Sequence, residues 1–171
     1  MSTAVTAFIA LGANLGDPVT TLRSALRALD AAAGVRVSAV SSLYDTSPVD
    51  SSGPDYVNAV ARVETGLTAP ALLGVLQRIE NDYGRVRPAG VHNAPRTLDL
   101  DMLTYGSLTS SDPQLILPHP RMLQRLFVLV PLAEIEPGWT TPDGEPVSAV
   151  IERVKRDDPS QKIQILERLI P

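Results

Sequence analysis

Two aspartates, Asp99 and Asp101, stand at alternate positions in the run Thr97-Leu98-Asp99-Leu100-Asp101-Met102-Leu103-Thr104-Tyr105, interleaved with Leu98, Leu100 and Met102. Alternation of apolar and polar residues is the period of a β-strand, so the two carboxylates project from one face, roughly 6.5 to 7 Å apart. Like charges at that spacing on a largely buried strand repel with little screening by water, and a cation between them relieves the repulsion. Oxygen donors suit Mg²⁺, which takes one or two protein carboxylates and completes its octahedron with water and substrate phosphate. Arg96, just before the strand, carries a planar fork that can hold a phosphate touched by the same ion. The plain alternative is the wet face of an edge strand beside a surface arginine.

Other residue types with chemistry to offer are spread through the chain. Tyr56 and Asn58 alternate with apolar residues in a run ending at Glu64, where an aromatic ring and an amide side by side can stack on and hydrogen-bond to a planar heterocycle. A packed tyrosine and a strand-end asparagine would look the same in sequence. Gln77 and Glu80, spaced i, i+3, share the polar face of a helix, for which solvation is the ordinary reason. His119 falls at an expected helix N-terminus in Pro118-His119-Pro120-Arg121, with Arg125 a turn and a half later.

Composition narrows the class. A chain of 171 residues is long enough for one domain with a sizeable core, and residues 1–171 read as a single domain. Hydrophobic residues make up 44%, yet there is no unbroken apolar run long enough to span a bilayer, and Met1-Ser2-Thr3-Ala4 lacks the basic region of a secretory signal. The absence of cysteine excludes disulfides and thiolate zinc sites, and a cytoplasmic protein is expected. A net charge of −4 argues against a general nucleic-acid binder. The only lysines are Lys155 and Lys162, which excludes the lysine-containing phosphate loop over the first 150 residues. Phosphate must then be held by arginine, metal or backbone.

The elements that would position these residues follow in order. Ala4 to Leu11 reads as a buried strand ending at Gly12. Asp17 caps a helix begun by Pro18, with Leu22, Ala25, Leu26 and Leu29 on its apolar face and Gly34 ending it. Val35 to Tyr44 predicts a second strand, and Tyr56 to Glu64 a third with Tyr56, Asn58 and Val60 on one face. Between them, residues 45–55 form a long polar loop of the kind that serves as a lid or binding loop. Thr68 caps a second helix with Leu72, Leu76, Ile79 and Tyr83 as its buried stripe and Gly84 as its stop. A second long loop, residues 85–96, is bracketed by arginines and leads into the aspartate strand. Beyond it, Leu115 to Leu117 is a short apolar run, and Pro131 interrupts the run from Leu126 to Leu132. Val147 to Val154 predicts a helix, and Lys162 to Leu169 a last amphipathic strand or helix.

Taken together, Gly12-Ala13-Asn14-Leu15-Gly16-Asp17, Pro54-Asp55-Tyr56-Val57-Asn58-Ala59, Gln77-Arg78-Ile79-Glu80, Gly84-Arg85-Val86-Arg87, Ala94-Pro95-Arg96-Thr97-Leu98-Asp99-Leu100-Asp101, Pro118-His119-Pro120-Arg121 and Arg125-Leu126-Phe127-Val128-Leu129 resemble, in order, the 6-hydroxymethyl-7,8-dihydropterin pyrophosphokinase family. Pro131-Leu132-Ala133-Glu134-Ile135 extends the likeness. The resemblance implies an α+β, ferredoxin-like antiparallel sheet with helices packed on its faces, working as a monomer. It implies transfer of pyrophosphate from ATP to the hydroxymethyl group of a pterin alcohol, with release of AMP and use of two Mg²⁺ ions held by Asp99 and Asp101. By the same likeness Thr46, Val49, Tyr56, Asn58 and Phe127 bind the pterin, while Gln77, Glu80, Arg87, His119 and Arg125 bind ATP. Arg85 and Arg96 join the two aspartates as catalytic residues, closing over the phosphates. The chain departs from the family pattern at Val91-His92-Asn93, where a basic residue and a tryptophan are common, in a loop one residue longer, and at Leu126, where a small residue is usual.

Two other classes use some of the same features. A metal-dependent nucleotidyl or sugar-nucleotide transferase also uses an Asp-x-Asp strand, but gives no reason for Tyr56 and Asn58 to accompany Phe127. A ligand-binding regulatory module on the same scaffold would tolerate loss of both aspartates.

Overall fold

The strand around which the rest is assembled, β1 (Val5–Ala13), alternates between two environments. Ala7, Ile9, Leu11 and Ala13 face a helical layer and are essentially sealed from water, while Phe8, Ala10 and Gly12 face the opposite side. The computed structural model describes residues 4–14, 16–46, 56–84 and 98–167. Helix α1 (Pro18–Ala31) starts as its sequence dictates: Asp17 is the N-cap, one of its carboxylate oxygens accepts from Thr20 N at 3.2 Å and the other from Thr20 Oγ1 at 2.8 Å, and proline follows. Leu22, Ala25 and Leu29 are its buried stripe. The chain reverses at Gly34, whose φ of +81° and lack of a Cβ both matter, because a Cβ there would lie 2.9 Å from Leu67 Cδ2.

The expected second strand proves to be two, β2 (Val35–Val40) and β3 (Leu43–Thr46), separated at Ser41 and Ser42. Both serines are buried. Ser41 N donates to Val60 O at 2.9 Å and Ser41 Oγ accepts from Val60 N at 2.9 Å, so the break stays attached to its neighbour. The strand β4 (Tyr56–Thr65) lies antiparallel to β1, β2 and β3. Helix α2 (Ala69–Gly84) is begun by Thr68, whose Oγ1 accepts from Ala71 N at 3.3 Å. Leu72, Leu76 and Ile79 are buried as expected. Tyr83 is not: it is 47% exposed, because residues 81–83 are all exposed and the last turn runs past the core.

The aspartate strand is β5 (Asp99–Tyr105), and it pairs antiparallel with β1. Strands β6 (Ser110–Asp112) and β7 (Leu115–Leu117) make a small hairpin. Where a helix N-terminus is expected at His119, the chain instead turns through a single 3-10 turn, Met122–Gln124, before α3 (Leu126–Ile135). Pro131 does not end that helix. An internal proline removes one helical hydrogen bond and crowds the preceding turn, but here Leu126, Val128, Leu129, Pro131 and Leu132 are all buried between the sheet and α4 (Val147–Asp157). Tertiary burial outweighs the local preference. The expected last element is strand β8 (Ile163–Glu167), which pairs with β3.

The sheet runs β5-β1-β4-β3-β8, with β2 beside β3 on β4. Its βαββαβ core is the ferredoxin-like α+β arrangement. Helices α1 and α2 cover one face over the larger core cluster, and α3 backed by α4 covers part of the other. At the Val5 end of β1, Glu64 accepts hydrogen bonds from Thr6 and Ser38 beside Arg62, which also pairs with Glu136 at 2.9 Å. No helix among the described residues is long and apolar enough to cross a membrane.

Candidate active site

On the face opposite α1 and α2, α3 leaves the Gly12 end of the sheet uncovered. The result is a cleft of about 900 Å³ floored by β1, β3, β4 and β5 and walled by the segment from Arg121 to Phe127 and the end of α4. Strand register decides what stands on the floor. Asp99, Gly12, Asn58 and Tyr44 are direct cross-strand neighbours over four strands, and Asp101 lies beside Ala10 in the next row. Asp99 and Asp101 are both exposed while Leu100 between them is buried, so the two carboxylates share the cleft face as their spacing predicts.

The pair Thr46 and Asn58 is the polar bottom of the cleft. Thr46 is 4% and Asn58 6% exposed, and Thr46 Oγ1 donates to Asn58 Oδ1 at 2.5 Å. With its oxygen toward Thr46, the amide lays Nδ2 over Gly12. A Cβ at residue 12 would sit 2.8 Å from Asn58 Nδ2, a contact that side chains do not make. Glycine is therefore required for the amide to lie across β1. Tyr56 is the cross-strand partner of Thr46, and Phe127, second residue of α3, faces the same space. Half-buried rings around a buried, oriented amide make a slot for a flat heterocycle with a hydrogen-bonding edge.

Cations stand along the wall. Arg125 lies with its guanidinium carbon 5.4 Å from the Phe127 ring centroid, and Arg121 also lines the cleft. His119 is not among the lining residues. Its backbone N donates to Leu103 O at 2.8 Å and its Nδ1 accepts from Arg121 N at 3.2 Å. Burial pushes the imidazole below its usual pKa, Asp101 opposes that, and Arg125 and Arg121 add to it, so the balance favours the neutral ring. A neutral imidazole holds a ligand by hydrogen bonding rather than by charge.

Glu80, half-buried on α2, accepts from Leu100 N at 2.8 Å, so it grips β5 between the two aspartates without lining the cleft. Gln77 lies on the exposed face of the same helix. The structure thus brings Thr46, Tyr56, Asn58, Asp99, Asp101, Arg125 and Phe127 together in the cleft, sets Glu80 and His119 beside the aspartate strand, and leaves Gln77 outside the group. Val49, Arg85, Arg87 and Arg96 lie outside the described residues, as do Val91, His92 and Asn93. Leu126 is 3% exposed and turned into the cluster with α4, so it does not narrow the cleft.

Several lining residues were not singled out from sequence for the site: Ala10, Gln124, Arg153, Asp157, Asp158 and Gln161. Gly12 could have been found, since an isolated glycine within a strand pattern signals a close approach. The residues of α4 and its C-terminal side carry no local signal, because only tertiary packing brings them here. Among the described residues no group of three or more His, Asp or Glu is arranged to cage an ion. Two exposed carboxylates on alternate positions fit Mg²⁺, which keeps water and substrate oxygens in its shell, better than an ion that needs an all-protein site.

Fold and site together define a ferredoxin-like α+β domain with an open cleft of small-molecule size. The sequence model of the 7,8-dihydro-6-hydroxymethylpterin-pyrophosphokinase (HPPK) family matches residues 8–137. The chain is 42% identical over 150 residues to the Haemophilus influenzae 2-amino-4-hydroxy-6-hydroxymethyldihydropteridine pyrophosphokinase, covering 87% of this chain and 92% of that one. To the Bacillus subtilis protein of the same name it is 47% identical over 130 residues, 75% of this chain and 77% of that one. The chain belongs to this family of pyrophosphokinases. Among solved structures, Plasmodium falciparum HPPK-DHPS with pteroate superposes with a TM-score of 0.72 at 12% identity over 94% of this chain. This chain spans only 44% of that longer one, and at such identity the likeness speaks for the fold alone.

Proposed function

We propose that this chain transfers pyrophosphate from ATP to the hydroxymethyl group of 6-hydroxymethyl-7,8-dihydropterin and releases AMP, as a step in folate biosynthesis. The hydroxymethyl oxygen bonds to the β-phosphorus, the bond from that phosphorus to the α-phosphate oxygen breaks, AMP leaves, and the hydroxyl proton passes to solvent. Asn58 and Thr46 read the polar edge of the pterin, and Tyr56, Phe127 and Val49 enclose its faces. Gln77, Glu80, Arg87, His119 and Arg125 hold ATP, with Arg85 and Arg96 over the phosphates. Asp99 and Asp101 would hold two Mg²⁺ ions, whose chemistry when bound is neutralisation of phosphate charge and alignment of the reacting oxygens. One domain of one chain supplies every residue in this scheme, and it acts as a monomer in the cytoplasm on free ATP and pterin, without nucleic acid or membrane.

The observation that carries this reading is the row Asp99, Gly12, Asn58. It sets the carboxylate that would meet phosphate two strands from the amide that would meet the pterin, with a glycine between them. Positioning of two substrates in line accounts for most of what such a site must do, since no covalent intermediate is needed. The test is an ATP-consumption assay with Mg²⁺ and the pterin alcohol. AMP formed only when the pterin is present supports the proposal. Release of pyrophosphate instead would assign nucleotidyl transfer.

The roles of the aspartates are tested separately. Asp99→Ala and Asp101→Ala each abolish turnover while circular dichroism and the melting transition remain those of a folded protein, because both side chains are exposed and neither supports the core. Substantial Mg²⁺-dependent activity in either variant would refute the assignment and favour a binding module.

A further inference from the structure

Helix α3 begins without a cap of its own. Its N-cap position is Arg125, extended at φ −126° and ψ 112°, and no side-chain hydrogen bond from it reaches the first turn. None can: a guanidinium has donors only, and the first N–H groups of a helix need acceptors from outside it. The acceptor comes from a residue 35 positions away. Gln161 Oε1 accepts from Leu126 N at 2.9 Å, while Gln161 Nε2 donates to Gln124 O at 2.9 Å and to Asp158 Oδ2 at 3.2 Å. The partners themselves settle the orientation of this amide, since a backbone N–H requires its oxygen and a backbone carbonyl its nitrogen.

One side chain therefore grips the backbone on both sides of Arg125. The two residues released into the cleft by that grip are Arg125 itself and Phe127, in contact with each other at 5.4 Å. An arginine at N-cap breaks the local preference for Ser, Thr, Asp or Asn. The break makes sense where the side chain is needed in the cleft and a remote amide does the capping. Gln161 lies well beyond residue 137, where the match to the family model ends.

We propose that Gln161 is a positioning residue for both substrates, holding the turn into α3 so that Arg125 meets ATP and Phe127 meets the pterin. This rests on the substrate assignments of those two residues given above. Loosening the turn displaces both anchors together, so the effect falls on the binding of both substrates rather than on the chemical step.

Steady-state AMP release, with one substrate saturating and the other varied, tests this in wild type, Gln161→Ala, Gln161→Glu and Asp17→Ala. Gln161→Ala raises KM for ATP and for the pterin alcohol together by about two- to tenfold, the range that one or two neutral hydrogen bonds convert to, with kcat within about twofold of wild type. Gln161→Glu keeps an acceptor for Leu126 N but turns a carboxylate oxygen against Gln124 O and Asp158 Oδ2, and it raises both KM values as well. Asp17→Ala uncaps α1 in the opposite layer and lowers the melting temperature without moving either KM, which separates positioning from stability. Should Gln161→Ala fail to fold, Gln161→Glu alone decides. Unchanged KM values in the Gln161 variants, or a rise for one substrate only, would overturn the proposal. A wild-type protein that releases no AMP with the pterin alcohol would overturn the parent reading, and this one with it.

Discussion

A hydrogen atom at residue 12 does more for the cleft than its size suggests. Because Gly12 stands directly across from Asn58 and from Asp99, any side chain there falls on the amide at the bottom of the cleft. Gly12→Ala places a Cβ 2.8 Å from Asn58 Nδ2, and the amide must swing away, breaking its bond to the buried Thr46 hydroxyl. In the scheme proposed above the displaced amide no longer meets the pterin edge, and loss of one or two hydrogen bonds, about 0.5–1.5 kcal/mol each, lowers pterin affinity about tenfold. The strand itself tolerates alanine, which is the better residue there on entropic grounds. Titration with the pterin alcohol in the variant, beside a titration with an ATP analogue that stays near wild type, checks the expectation. At this scale the sequence spoke clearly where types and spacing were enough: Asp99 and Asp101 share a face because strands alternate. It was silent on Gln124 and Gln161, whose roles exist only once two distant segments touch.

Among the elements, the pair β2 and β3 shows how a distant residue sets a local register. The break at Ser41 and Ser42 is held by Glu134 on α3, whose carboxylate accepts from Ser42 N at 2.7 Å, Ser42 Oγ at 2.6 Å and Tyr44 OH at 2.9 Å. A slip of one residue would turn Thr46 to the other side of the sheet and dissolve its pair with Asn58. Glu134→Ala therefore destabilises the fold by about 1–2 kcal/mol, since Ser42 loses its partners near a surface where water replaces them in part. A lower urea midpoint with an unchanged slope is the measurement. Nothing in Val35 to Tyr44 announces that break, because its loose alternation continues through both serines and the stabilising group sits 92 residues away. Helix α1 is the contrary case. Cap, proline, apolar stripe and terminal glycine are all local, and each was legible. Helix α3 falls between: Pro131 argued for an interruption, and burial on two sides overrode it.

Over the whole molecule, the sheet divides labour between its faces and between its ends. The α1 and α2 face holds most of the core, leaving the other face free to carry a partly open cleft without exposing that core. At the end away from the cleft, Glu64 contributes to acid sensitivity. Burial raises its pKa, but hydrogen bonds from Ser38 and Thr6 and the charges of Arg62 and Arg36 outweigh that, leaving it below the ordinary 4.5. A carboxyl depressed on folding stabilises fully above its unfolded pKa, and that contribution disappears as pH falls through the folded value. Wild type therefore exceeds Glu64→Gln in melting temperature at neutral pH, and the gap closes below the normal carboxylate range; a gap constant with pH would show that Glu64 is not the titrating group. The βαββαβ order could be anticipated from the resemblance, whereas the packing of α4 and β8 against the cleft wall could not, having no motif of its own. One consequence follows from the place of β5 at the margin of the sheet. A terminal strand offers outward amides that another polypeptide can zip onto. By occupying the Leu100 amide, Glu80 denies that foothold between the two aspartates, so this stretch of the margin is guarded against accretion into aggregates.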